Sequence, residues 1–274
     1  MSYQPELLFF NRSSLLEGPF WDPFNDFIVC VSIEQCCIYQ IGIRTGIVNT
    51  ITTDGPVGCV VQKNPHIYWS AEKGGIYEID ILTGNRRKLI HPEYDHKMRY
   101  NDGKLDPKGR FIFGSMGIED DMPGVGRLFS YDGQYCKVLI ETVTISNGIA
   151  FSSDSKFMYY IDTPSREVKK YNYNIDSGDV TFIDSVITFN GEGLPDGMCV
   201  DLDDMLWIAE WNGGKVCKWD PNTGNKLQEI LLPCKNITSC CLGGTEKQYL
   251  YITTAKTESS DDLLGGGLFR VKLR

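Results

Sequence analysis

Four short strings recur along this chain: Glu17-Gly18, Asp102-Gly103, Asn147-Gly148 and Asp196-Gly197, each opening a short apolar run. Two further runs complete the series without an acid or amide at their head, Val57-Gly58-Cys59-Val60-Val61 and Thr238-Ser239-Cys240-Cys241-Leu242. The six heads stand at positions 17, 57, 102, 147, 196 and 238, so the intervals are 40, 45, 45, 49 and 42 residues. An interval of that size spans one four-stranded propeller blade. A unit so short cannot bury its own apolar face, so neighbouring units must stack.

The rest of each unit agrees. The opening run is followed by a turn rich in residues that favour tight reversal, as in Asp22-Pro23-Phe24-Asn25, Asp106-Pro107-Lys108-Gly109 and Asp201-Leu202-Asp203-Asp204. Second strands are expected over 27–33, 67–70, 110–115, 157–161, 205–209 and 249–253. Third strands end in hairpin signatures such as Asp80 before Thr83-Gly84 and Asp220 before Thr223-Gly224. The last unit lacks a fourth strand after Leu268 to Leu273, while Leu7 to Phe10 is left over before the first. Pairing these two ends would close the ring and remove its exposed edges. No stretch keeps a 3.6-residue apolar period. The expectation is an all-β, six-bladed propeller of four-stranded antiparallel blades, one domain over residues 1–274.

Composition bounds what such a chain can do. The net charge of −9, with 27 Lys and Arg dispersed along the chain, argues against a nucleic-acid partner and makes a cation the more natural one. No apolar stretch is long enough to span a bilayer, and no basic segment leads into an apolar one at the start. The ten cysteines show no C-x-x-C spacing, which reads as buried free thiols in a reducing cytoplasm rather than a disulfide framework or a zinc-thiolate site. The expectation is a cytoplasmic protein without a membrane or obligate protein partner. Histidine occurs three times, at His66, His91 and His96, and G-x-S-x-G, H-E-x-x-H and the phosphate-binding G-x-x-x-x-G-K-[ST] are all absent. A serine or cysteine nucleophile with a histidine base is therefore poorly supported.

What remains is the geometry of the repeats. First strands of the blades line the axis of a propeller, so the residues opening them converge at one mouth. Glu17, Asn147 and Asp196 should meet there, giving three oxygen donors and a charge of −2 that suit a divalent cation completed by water. Taken singly, each is better explained as a turn residue or strand-end cap; three together at equivalent places tip the balance toward a metal. Loops between second and third strands reach the same face, including Glu119, Asp120 and Asp121. The connection into the third unit delivers Arg99, Tyr100 and Asn101. An arginine does nothing for metal affinity and points to an oxygen-rich substrate or developing negative charge, or else to an ion pair with a neighbouring carboxylate. Asp102 heads its run as the candidate ligands do but is expected to serve structurally, pairing inside the loop. Trp211 is a candidate sugar platform or a packed aromatic. Segments 93–98, 122–126 and 256–266 are expected to frame the pocket and select the substrate.

These residues resemble the SMP-30/gluconolactonase/regucalcin-like group of six-bladed propellers. The resemblance rests on Glu17-Gly18-Pro19-Phe20-Trp21, Arg99-Tyr100-Asn101-Asp102-Gly103-Lys104, Ser146-Asn147-Gly148-Ile149-Ala150 with Tyr160-Ile161-Asp162-Thr163, Pro195-Asp196-Gly197-Met198 with Leu206-Trp207-Ile208-Ala209, and Tyr249 to Ala255. It implies one divalent cation held by Glu17, Asn147 and Asp196, with Arg99, Asn101 and Glu119 contacting a small-molecule lactone. The implied activity is hydrolysis of sugar lactones such as gluconolactone. Asp196 would take a proton from the attacking water, Arg99 and Asn101 would orient ring oxygens or stabilise the oxyanion, and Glu119 would accept hydrogen bonds from hydroxyls. Ca, Zn, Mn and Mg are all compatible with oxygen ligation. Hydrolysis of another ester or a phosphotriester, and cation binding without turnover, stand as alternatives.

Overall fold

The computed structural model describes residues 3–12, 14–93, 95–119, 122–257 and 262–273. Strand β1 (Glu6–Phe10) precedes the first blade, which holds β2 (Leu16–Asp22), β3 (Phe27–Ser32), β4 (Cys37–Gly42) and β5 (Val48–Thr52). The second holds β6 (Val57–Asn64), β7 (Ile67–Glu72), β8 (Gly75–Asp80) and β9 (Arg86–Ile90). The third holds β10 (Met98–Leu105), β11 (Phe111–Gly117), β12 (Gly126–Tyr131) and β13 (Cys136–Val143). The fourth holds β14 (Ser146–Phe151), β15 (Phe157–Asp162), β16 (Glu167–Tyr173) and β17 (Val180–Thr188). The fifth holds β18 (Leu194–Val200), β19 (Leu206–Trp211), β20 (Lys215–Trp219) and β21 (Lys226–Leu231), and the sixth β22 (Asn236–Gly243), β23 (Tyr249–Ala255) and β24 (Gly267–Lys272).

Six four-stranded antiparallel sheets result, and β1 supplies the outermost strand of the sixth, in the order β1-β24-β23-β22. The two chain ends thus close the ring, with Glu6 opposite Arg270 and Leu7 opposite Phe269. Burial explains why the blades stay together. Each of six apolar clusters draws on two adjacent blades: Val29 and Val31 meet Val60 and Tyr68, for example, and Leu16 and Ile28 meet Cys241 and Tyr251 across the closure. The hydrophobic drive therefore acts between units, and no blade holds a core of its own.

Turns on the face away from the strand-one entrances share one device. The carboxylate of Asp22 accepts the backbone N–H groups of Phe24 and Asn25, and Asp80, Asp132 and Asp220 bond backbone N–H groups two residues on in the same way. Several second strands run further than the sequence indicates, although β3 stops at Ser32, one residue short of its expected span. β7 reaches Glu72, β11 reaches Gly117 and β19 reaches Trp211, because strand pairing continues to the opposite face after the β-rich composition has faded. The 3-10 turn Thr163–Ser165 carries Pro164 in its first positions and has no counterpart in the sequence reading. No helix among the described residues is long and apolar enough to cross a membrane. All ten cysteines are free thiols. Cys240 and Cys241 face different clusters, as alternation along a strand requires, whereas Cys36 lies in the β3–β4 turn with φ 53°.

Candidate metal centre

Every axial strand loses register with its neighbour at the same height: between Glu17 and Phe20, Val57 and Cys59, Tyr100 and Gly103, Ser146 and Ile149, Pro195 and Met198, and Ile237 and Ser239. Irregularities of this kind re-aim side chains that a regular ladder would turn to alternate faces. In blades three, four and five the first residue after the last paired one is Asn101, Asn147 and Asp196. Asn101, and not Asp102, is therefore the structural counterpart of Asn147 and Asp196. Matching the Asx-Gly dipeptides places the third unit one residue out of step, because two unpaired residues separate the ladders and the dipeptide does not show which of them leads. Glycine keeps the axial strands close: a Cβ on Gly148 would lie 2.8 Å from the Asp196 carbonyl oxygen of the next blade.

Glu17, Asn147 and Asp196 are buried, with exposures of 7%, 5% and 4%. One Oε of Glu17 accepts the Gly18 N–H at 2.9 Å. Asn147 Oδ1 accepts from Asn101 Nδ2 at 2.8 Å, and Asn147 Nδ2 donates to Thr163 Oγ1 at 2.8 Å. Asn101 Nδ2 also donates to the Ser146 carbonyl at 2.8 Å, and its Oδ1 accepts from Arg99 Nη1 at 2.7 Å. Both protons of the Asn101 amide are thus committed to protein acceptors. Its Oδ1, which accepts one hydrogen bond from Arg99, keeps a second lone pair.

Electrostatics follow from burial. Removal from water, reinforced by Asp102, pushes Glu17 up to about 8 against the opposing Gly18 N–H and Arg99. Asp196 is pushed well above the usual carboxylate range by burial, then by Glu17 and Asp102. Arg99 is half-buried; desolvation lowers its guanidinium while Glu17 and Asp196 act to raise it. Without a cation, burial and mutual repulsion therefore hold both carboxyls toward their neutral form.

Among the described residues Asp196 Oδ1 is buried and meets no hydrogen-bond partner, an arrangement that costs free energy unless something else meets the oxygen. Among the described residues no three His, Cys, Asp or Glu side chains converge on a metal position; a third protein donor would have to come from an amide oxygen such as that of Asn147. Two carboxylates and an amide oxygen form a hard, anionic donor set, and the residues present fit a divalent cation.

Asp102 is buried within β10, not in a loop, and its Oδ1 accepts the Gly103 N–H at 2.7 Å. It lines a cavity of about 280 Å³ in the axial channel with Lys104, whose Nζ donates to the Met198 carbonyl at 3.0 Å. Arg99 and Tyr100 likewise belong to β10 rather than to the connection before it. Glu119 is exposed two residues beyond β11, and no hydrogen bond or ion pair joins it to the cluster among the described residues. Asp120, Asp121, residue 94 and residues 258–261 of the expected pocket rim lie outside the described residues. Trp211 ends β19 and is half-buried.

Comparison with known proteins places this geometry. Residues 15–256 match the SMP-30/Gluconolactonase/LRE-like region. The chain belongs to this family. The regucalcin of Danio rerio is 33% identical over 258 residues, covering 93% of this chain and 87% of the relative. A calcium-binding protein, regucalcin, from Agrobacterium tumefaciens str. C58 superposes with a TM-score of 0.93 at 23% identity, over 100% of this chain and 96% of that one. A gluconolactonase from Xanthomonas campestris superposes with a TM-score of 0.80 at 21% identity, over 99% and 90%. At these identities the two superpositions speak for the fold.

The sequence reading omitted Thr163. Its side chain touches both a candidate ligand and the strand carrying another, since Thr163 Oγ1 donates to the Pro195 carbonyl at 2.8 Å. The threonine stands within the Tyr160-Ile161-Asp162-Thr163 string, but spacing alone assigns it nothing, because its partners lie 16 and 32 residues away.

Proposed function

We propose that this protein hydrolyses small hydroxylated lactones with the help of a divalent cation, sugar 1,4- and 1,5-lactones being the leading substrates. The observation that carries the reading is the desolvated Arg99 guanidinium beside the buried pair Glu17 and Asp196. A site built only to hold a cation is weakened by a fixed positive charge at its edge, whereas an oxygen-rich substrate that gains negative charge as it reacts is favoured by one. The family supports the same class, since gluconolactonase stands in its description.

Glu17, Asn147 and Asp196 would hold the cation, which would supply Lewis acidity to a carbonyl oxygen and to water. Arg99 orients the lactone and stabilises charge that develops on its carbonyl oxygen. Asn101 Oδ1 accepts a hydrogen bond from a ring hydroxyl. Asp196, with an oxygen free of protein partners among the described residues, accepts a proton from the attacking water. Glu119 at the rim accepts hydrogen bonds from outlying hydroxyls.

Cation binding without turnover is the second reading, favoured by the regucalcin relatives and by the calcium-binding description of one of them. A pH-indicator assay separates the two: chelator-stripped protein is offered sugar lactones, aliphatic lactones and a phosphotriester, with Ca, Mg, Mn or Zn restored in turn. Cation-dependent turnover of sugar lactones, abolished in a folded Asp196→Ala variant, is the expected result. Tight cation binding with no turnover across the panel would favour the second reading. Preference for the phosphotriester would move the substrate class.

A further inference from the structure

Four hydrogen bonds run head to tail across the mouth of the propeller. Arg99 Nη1 donates to Asn101 Oδ1 at 2.7 Å, Asn101 Nδ2 to Asn147 Oδ1 at 2.8 Å, Asn147 Nδ2 to Thr163 Oγ1 at 2.8 Å, and Thr163 Oγ1 to the Pro195 carbonyl at 2.8 Å. The chain starts in β10, crosses β14 and the turn after β15, and ends on the residue before Asp196.

Its direction is imposed at both ends. A guanidinium can only donate and a backbone carbonyl can only accept. The carbonyl of Pro195 takes the single Thr163 hydroxyl proton, so that hydroxyl can only accept from Asn147. Asn147 must then turn its NH2 group toward Thr163 and its Oδ1 the other way, where Asn101 Nδ2 meets it. At the far end Arg99 claims Asn101 Oδ1, and the Ser146 carbonyl claims the second Asn101 amide proton. Reversing either amide would set donor against donor at a buried position, a loss of about 1–3 kcal/mol for each group left unmatched.

Thr163 is well placed for this task. It is buried, its backbone N–H donates to the Ile145 carbonyl at 3.1 Å, and its own carbonyl accepts the Arg166 N–H at 3.0 Å. Arg166 in turn donates to the carbonyls of Phe189 and Gly193, at 2.9 and 3.0 Å, in the segment leading to Asp196. The hydroxyl therefore sits on a turn braced from both sides.

We propose that Thr163 is a positioning residue whose hydroxyl fixes the Asn147 amide with its oxygen toward the cation and ties that ligand to the strand carrying Asp196. The inference rests on the cation reading of the site given above. Partners behind the ligands of a metal commonly set its affinity by orienting those ligands.

The test is calorimetric titration of Ca2+ into chelator-stripped protein, wild type against Thr163→Val, Thr163→Ser and Ser165→Ala. Valine keeps the shape and removes the hydroxyl; it should weaken Ca2+ binding about 10- to 100-fold. Serine should restore wild-type affinity. Ser165 donates to the Asp162 carbonyl in the same turn but lies outside the hydrogen-bonded chain, so Ser165→Ala should bind as wild type does. Equal affinity in wild type and Thr163→Val would overturn the inference alone, as would an equal loss in Ser165→Ala. A wild type that binds no cation would overturn the reading of the site and this inference together. If Thr163→Val does not fold, Thr163→Ala against Thr163→Ser makes the same comparison, and equal affinities there would overturn it.

Discussion

Replacing Glu17 by Gln should weaken cation binding and, in the same molecule, stabilise the cation-free protein. Both effects come from one cause. Glu17 stands at about 8 in the folded chain against an ordinary 4.5, raised chiefly by burial and then by Asp102. A carboxyl whose folded value lies above its unfolded one contributes stability that is complete below the unfolded value and is lost as pH climbs through the folded value. With those two values, holding Glu17 in the cation-free protein costs on the order of 5 kcal/mol at pH 9 but less than about 1 kcal/mol at pH 5. Glutamine keeps the shape and an oxygen for the Gly18 N–H and never ionises. At roughly 2 °C per kcal/mol for a chain of this size, the variant should melt about 10 °C above wild type at pH 9 in chelator and within a couple of degrees of it at pH 5. Saturating Ca2+ should narrow the gap at pH 9 by stabilising wild type alone. Thermal melts by circular dichroism at pH 5, 7 and 9, with chelator and with Ca2+, provide the comparison. A melting difference independent of pH, or a variant that binds Ca2+ as tightly as wild type, would refute the argument that buried carboxylate charge defines this site.

Two further outcomes follow from the structure. Arg99→Ala should lower kcat/KM for sugar lactones by about 10²–10³ while leaving Ca2+ affinity equal or higher, since it removes a positive charge beside Glu17 and Asp196; parallel steady-state kinetics and calorimetry check this, and a lost affinity with an unchanged rate would reverse the assignment. Deleting residues 1–10 should strip β24 of its outer partner and expose a strand edge; light scattering should then show concentration-dependent association and melts a lower midpoint, whereas an unchanged monodisperse protein would mean that closure contributes little.

The architecture was legible in the chain because it is written locally and repeatedly. Forty- to fifty-residue spacing, turn residues at matching places and a strand left over at the start where the last unit lacks one require no knowledge of distant contacts, and they yielded six blades and their closure. Of the candidate ligands, Asn147 and Asp196 hold equivalent places in the repeat, each first after the last paired residue, whereas Glu17 is itself the last paired residue of its strand, an offset the spacing does not reveal. Strand ends were less legible, because pairing near the mouth continues through residues such as Gly117 that have no β preference of their own.

The tertiary structure alone decided what each polar group can do once it arrives. The register of β10 against β11 makes Asn101 the counterpart of Asn147 and places Asp102 on the channel wall with Lys104, a one-residue distinction that the dipeptides conceal. It commits both Asn101 amide protons, leaves Glu119 exposed beyond β11 and Asp196 Oδ1 without a partner among the described residues, and brings Thr163 between two strands of different blades. A repeat pattern specifies which residues share a height on the axis. Hydrogen-bond direction, burial and charge depend on atoms contributed by several blades at once, and they come into being only when the ring closes.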